Sequence, residues 1–336
     1  MKYRPKRAAR LGENGAPGPL CGGETMKKYL IAGVMALMGS TAMADIGVTM
    51  AKFDDNFLTV LRNGIQAYAD ANGQKVQIED AQGDVAKQLD QINNFIASGV
   101  SAIIVNAVDT SATQAMSDAA AAANIPLVYV NRQPINVDTL PDNQAFVASN
   151  EVDSGTLETL EVCRLLKEEG KMEANVYVME GELSNQAAVQ RTADVHDVIG
   201  GPDCGVKVNI IDEQTANWSR DEAATLMTNW LSTGTAFDAV IANNDEMAIG
   251  AIQAMKAANI DMKTVIVGGV DATQDALAAI AAGDQDLTVF QDAAGQGSGA
   301  VDAAVKLAAG EAVEQKVYIP FQLVTPANMA DFTKKN

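Results

Sequence analysis

Pro126-Leu-Val-Tyr-Val-Asn-Arg132 decides how this chain is read. A short apolar run of the kind that makes a buried strand stops there on two planar hydrogen-bonding side chains, Asn131 and Arg132. The same event recurs downstream. Ala239-Val-Ile-Ala-Asn243 runs into Asn244 and Asp245, Val267-Gly-Gly-Val270 into Asp271, and Leu287-Thr-Val-Phe290 into Gln291. In open α/β sheets, ligands sit at the carboxyl ends of the strands, so these side chains are candidates for one binding site.

Working outward, strand and helix signals alternate from Asp45 onward. Ile46 to Met50 leads to a helix over Asn56 to Ala71, with Phe57, Leu61, Ile65 and Tyr68 on one face. A second helix spans Asp84 to Ser98, with Val85, Leu89, Ile92 and Ile96 as its expected buried stripe. These βαβ units predict parallel sheets covered on both faces. After Arg132 a loop with Pro134 and Pro141 breaks the rhythm, and a second alternation starts at Asn150, ending with a helix over Gly299 to Ala309. The segment Val317 to Val324 contains Pro320, which suits an edge or a connector.

Composition narrows the function. The 336 residues carry a formal charge of -19; without the first 44, which hold seven Lys and Arg and two Asp and Glu, it becomes -24. Such a body repels phosphate backbones and anionic membranes, which argues against nucleic acid as a partner. Met26-Lys-Lys28, an apolar run and Ala42-Met-Ala44 form the pattern of a secretory signal peptide cleaved after Ala44, and residues 1–25 read as a non-structural extension. Export sets the redox context. Cys163 and Cys204 can form a disulfide worth roughly 4 kcal/mol, or remain two separate buried thiols.

Catalysis finds little support. His196 is the single histidine and falls in a helical pattern, read as a surface or packed residue. Two cysteines 41 apart with one histidine give no zinc spacing, so neither metal nor cofactor is expected. Gly295-Gln-Gly297-Ser-Gly299 resembles a dinucleotide fingerprint but sits in the last βα unit, where its glycines are expected to let a helix approach the sheet. At the second of these strand ends, one of Asn244 and Asp245 is expected to cap the helix while the other points into a cleft. Carboxylate, guanidinium and amide groups together suit a polyol, whose hydroxyls both donate and accept. Trp218, in a polar loop, is placed to stack on a sugar ring.

At Val130 to Gln133, Asn243 to Ala251 and Gly268 to Ala276 the chain resembles the periplasmic sugar-binding proteins of ABC transporters, of the ribose-binding type. That resemblance implies two Rossmann-like lobes joined by three crossovers with the ligand cleft between them: residues 45–149 plus 292–322, and 150–291 plus 323–336. It also implies a periplasmic receptor that closes about a hinge and delivers its ligand to a permease in the inner membrane; a monomer is assumed. Carried over, the ligand-binding residues are Asp55, Phe57, Asn131 and Arg132 from the first lobe. Trp218, Asn244 and Asp271 come from the second, with Gln291 at a crossover. The family often has Asp where this chain has Asn131, and a second aromatic where it has Leu58. Val189 falls where the family places a further Arg, leaving Asn185 and Arg191 as candidates. The stretch Glu213 to Trp218 resembles most the branch that binds myo-inositol and related cyclitols such as rhizopines. Ribose or galactose binding, a secreted sugar-acting enzyme using Asp245 and Asp271, and a sugar-responsive transcription regulator are the alternatives.

Overall fold

The computed structural model describes residues 45–336. The expected extension, with Cys21, and the expected signal peptide lie outside the described residues. Chain order begins β1 (Ile46–Met50), α1 (Asn56–Ala71), β2 (Val76–Asp80), α2 (Val85–Ser98), β3 (Ala102–Val105), α3 (Thr113–Ala122), β4 (Leu127–Val130) and β5 (Gln144–Ala148). It continues through α4 (Glu151–Glu168), β6 (Glu173–Glu180), α5 (Gln186–Gly200), β7 (Lys207–Thr215), α6 (Arg220–Ser232), β8 (Ala239–Ala242), α7 (Asp245–Ala257) and β9 (Ile266–Gly268). Last come β10 (Val270–Asp271), α8 (Gln274–Ala282), β11 (Thr288–Phe290), α9 (Ala293–Ala308), β12 (Lys316–Tyr318) and β13 (Gln322–Val324).

The first sheet runs β12-β5-β4-β3-β1-β2 with every pair parallel. Side chains alternate between its faces, as strand geometry requires. Val48, Ile104, Val128 and Val130 pack on one side with Leu61 and Ile65 of α1 and Val301 of α9. Ile103, Val105, Leu127 and Tyr129 face the other way, against Ile92 and Phe95 of α2 and Met116 of α3. A second parallel sheet, β7-β6-β8-β9, repeats the plan. Tyr177 and Met179 meet Trp230 and Met255 on one face, while Val176 and Val178 meet Cys163 and Leu166 on the other. The fold is α/β with two such layered lobes, and the chain passes between them after β5, after β11 and after β12.

Three local expectations change. The apolar run through Val270 does not make one strand: β9 ends at Gly268, and β10 joins β11 and β13 in a separate three-stranded sheet. Within it β13 runs antiparallel to β11, with Gln322 opposite Phe290, so the last passage lies between Tyr318 and Gln322 around Pro320. On α2 the buried face carries Gln88 and Gln91, while Val85, Leu89 and Ile96 are only half-buried. Those amides are structural: Gln88 accepts from Val108 N (2.8 Å) and donates to Asn106 O (2.9 Å), satisfying backbone groups at strand ends. Finally, α9 begins at Ala293, not Gly299. Asp292 caps it through Gly295 N (2.8 Å). Gly297 lets it approach α1, since a Cβ there would lie 2.9 Å from Ile65 N, and only Gly299 faces the sheet, at Val147. Helix-to-helix contact thus offsets the low helix propensity of glycine.

Cys163 in α4 and Cys204 in the segment before β7 are joined by a disulfide. His196 is exposed on α5 and pairs with Glu213 at 2.8 Å. Among the described residues no helix is long and apolar enough to cross a membrane.

Candidate functional site

The carboxyl ends of the two parallel sheets face one another, and the loops leaving them enclose about 360 Å³ of atom-free space, counting the part open to solvent. All ten residues singled out from the sequence line it: Asp55, Phe57, Asn131 and Arg132 from the first lobe, Asn185, Arg191, Trp218, Asn244 and Asp271 from the second, and Gln291 where the chain crosses. Leu58, Glu151 and Ala187 complete the wall.

Helix starts set several of these side chains. Asp55 caps α1 through Leu58 N (2.8 Å), which turns Phe57 and Leu58 into the cavity wall; burial raises its pKa, and Arg132 opposes that. Asn185 caps α5 through Ala187 N (3.1 Å) and Asn244 caps α7 through Met247 N (3.0 Å). Asn244 therefore both caps and lines the cavity. Asp245, by contrast, points into the interior, where it accepts from Thr288 Oγ1 (2.7 Å), Thr273 N (3.0 Å) and Gln285 Nε2 (3.1 Å). Its task is to tie α7 to the strands beside it, so the Asp245–Asp271 pair open at the sequence level does not form in the cavity.

Strained backbone positions set others. Asn131 has φ 67°, Trp218 φ 63° and Asp271 φ 124°, all outside the usual range of side-chain-bearing residues. Neighbours hold each one. Asn131 donates to Gln296 Oε1 (3.2 Å) and accepts from Asn106 Nδ2 (3.2 Å). Trp218 lies flat across Gly181, where a Cβ would come within 2.1 Å of the indole. Asn336 Nδ2 donates to the carbonyls of both Asp271 and Gln291, at 2.7 Å each, clasping the two loops together.

Two buried guanidinium groups supply positive charge. Arg132, 3% exposed, donates to the carbonyls of Ala107 (3.0 Å) and Val108 (3.2 Å); burial lowers its pKa, and Glu182 and Asp55 counter that. Arg191 pairs with Glu151 (2.7 Å), donates to Asn243 O (2.6 Å) and lies 5.6 Å from the Trp218 ring. Val189 instead faces solvent, 53% exposed. Burial pushes the Asp271 carboxyl well above the usual range, with Arg191 pulling it back. Glu151 was not foreseen from the sequence. It opens α4 directly after the first crossover, and its position after Asn150, a helix-start signal, is the one clue the sequence offers.

Three buried polar atoms of lining residues have no protein partner: Glu151 Oε1, an acceptor, and Trp218 Nε1 and Gln291 Nε2, both donors. Unpaired buried polar atoms each cost about 1–3 kcal/mol, so native sites keep them where something else pairs with them. Among the described residues no cluster of His, Cys, Asp or Glu is arranged to hold a metal ion.

Comparison with known proteins agrees with this geometry. The periplasmic binding protein domain matches residues 46–312. A Rhizobium meliloti protein named for rhizopine binding is 62% identical over 93% of this chain and 100% of its own length. Among solved structures, an ABC transporter solute binding protein of Bacillus halodurans with bound myo-inositol superposes with a TM-score of 0.81 at 39% identity, covering 89% of this chain and 100% of that one. A Caulobacter myo-inositol binding protein bound to myo-inositol gives 0.78 at 27% identity, over 88% and 97%. The chain belongs to the periplasmic binding protein family, a family of non-enzymatic receptors that work outside the cytoplasm.

Proposed function

We propose that this protein captures a cyclitol, myo-inositol first among the candidates, in the cavity between its lobes, closes about its crossovers, and delivers the ligand to an ABC permease in the inner membrane. It does so as a monomer in the periplasm, after cleavage of a signal peptide following Ala44. The observation that carries this reading is the mixed set of unpaired groups at one cavity: Glu151 Oε1 accepts, while Trp218 Nε1 and Gln291 Nε2 donate. A ring of hydroxyls, each able to do both, satisfies all three. Asp55, Asp271, Arg132 and the amides of Asn131, Asn185 and Asn244 extend the same chemistry around the wall, and Phe57 and Trp218 offer faces to C–H surfaces. At about 1 kcal/mol net per neutral bond and about 1.5–3 for charged ones, eight or so bonds reach micromolar affinity or better. No bond in the ligand needs to break.

The myo-inositol-bound neighbours support the cyclitol over an aldose such as ribose or galactose. A rhizopine is the second reading, supported by the 62% identity to the Rhizobium meliloti protein. The test is a thermal-shift screen of myo-inositol, a rhizopine, ribose, galactose, glucose and xylose. Ligand at a hundredfold excess over Kd adds about 2.7 kcal/mol, which raises Tm by roughly 4–10 °C in a chain of this size. A shift with an aldose alone replaces the cyclitol by that sugar, and no shift with any compound refutes the reading.

A further inference from the structure

Beside the cavity the lobes touch through further groups, most of which do not line it. Lys52, after β1, donates to Glu182 Oε1, after β6 in the opposite lobe, and Arg132 NH1 stands 3.6 Å from Glu182 Oε2. Nearby, Thr110 N and Thr110 Oγ1 both donate to Ser184 O, at 3.0 and 3.1 Å, and Gln186 N donates back to Thr110 Oγ1 (3.1 Å). The segment carrying Glu182 and Ser184 is not held down by its own core, for Leu183 between them is 57% exposed. Within its own lobe Asn185 N donates to Glu182 O (2.9 Å), while the Glu182 carboxylate and Ser184 O reach across the gap to Lys52, Arg132 and Thr110.

We propose that Glu182 and Thr110 form a latch between the lobes, so that part of the affinity for ligand is set by contacts the ligand never makes. Glu182 also couples the latch to the site, because Arg132, which lines the cavity, reaches the same carboxylate. Apparent affinity scales with the population of the binding-competent form, so a latch that favours closure tightens binding and slows release. This inference rests on the hinge-closing receptor proposed above.

The test uses the full mature chain with Glu182→Gln, Thr110→Val and, as a conservative control that keeps the hydroxyl, Thr110→Ser. Stopped-flow kinetics with myo-inositol should show release about tenfold faster in Glu182→Gln and Thr110→Val, association within about twofold of wild type, and Thr110→Ser close to wild type. Because Thr110→Val leaves Arg132 untouched, an effect confined to Glu182→Gln would mean that Glu182 only aims Arg132, and would overturn the latch. So would unchanged release in both. If the wild type binds no polyol, the functional reading fails separately. Single-molecule energy transfer in ligand-free protein, with dyes at Asp90→Cys and Met172→Cys on the two lobes, then decides: a smaller closed fraction in both variants supports the latch, and an unchanged one refutes it.

Discussion

Arg191→Met removes the cation that holds the acidic wall of the cavity together. In the wild type, the Arg191 and Glu151 side chains are 4% and 5% exposed and pair at 2.7 Å. Without the guanidinium, Glu151 Oε2 keeps only the Ser154 hydroxyl at 3.0 Å, and Asn243 O loses a 2.6 Å donor. Breaking a buried pair by deleting one partner costs about 3–5 kcal/mol, because an uncompensated charge stays behind. The penalty depends on pH in a determinate direction. Burial already raises the Asp271 carboxyl, and Arg191 is the leading charge opposing it, so the variant raises it further. A carboxyl whose folded-state pKa is raised favours the folded chain at low pH and loses that stability as pH rises through the raised value. The loss should therefore be largest near pH 8 and smaller near pH 5. Urea unfolding followed by tryptophan fluorescence at both pH values measures it, and Glu151→Leu in the same chain should restore a large part by removing the stranded charge. A loss under about 1 kcal/mol, or one equal at the two pH values, would show that Arg191 does not hold this wall.

Three further outcomes are expected. Trp218→Ala should weaken polyol binding at least about tenfold, or about 1.4 kcal/mol, by calorimetry, and Gly181→Ala should do likewise because its methyl would displace the indole; unaltered affinity in both would remove Trp218 from the site. In the ligand-free wild type, burial pushes Asp245 up to about 7, so stability should be higher by roughly 1–3 kcal/mol at pH 5 than at pH 8, and a denaturation profile flat over that range would contradict it. Replacing Cys163 and Cys204 by Ser opens a loop of 41 residues and should cost about 4 kcal/mol, matched by adding reductant to the wild type and absent when reductant is added to the variant.

The lining of the cavity was more legible than parts of the frame around it. Strands that end on planar polar groups announce themselves because the apolar run is continuous and its stop is abrupt, as at Val130 followed by Asn131 and Arg132. The buried stripe of α2 misled because periodicity counts apolar residues, whereas the strand ends beneath that helix need amide partners and take Gln88 and Gln91 inward. Gly295 to Gly299 reads as a loop by propensity, yet it is helical because the small residues let α9 meet α1; close packing of that kind is invisible one segment at a time. Glu151 escaped because its partner Arg191 is 40 positions away. The Asp245 contacts with Thr273 and Thr288 are likewise tertiary, so sequence alone allowed either Asn244 or Asp245 to enter the cleft.

Why the cavity wall is strained follows from what a small polyol demands. Its hydroxyls project in fixed directions, so recognition needs side chains whose orientation is settled before it arrives, and each rotamer left free would subtract about 0.5–1.5 kcal/mol from binding. Asn131, Trp218 and Asp271 meet that demand through positive φ, at a cost of about 1–3 kcal/mol apiece, and each cost is offset by a contact made wholly within the protein. Gln296 and Asn106 fix Asn131, Gly181 seats Trp218, and Asn336 ties Asp271 to Gln291. Folding energy therefore supplies the orientation, and the atoms of Glu151, Trp218 and Gln291 that lack a protein partner stand among the groups left for a ligand to meet. In such a site, loosening a supporting contact should weaken binding nearly as much as deleting the group it supports, with no new cavity in either lobe's core.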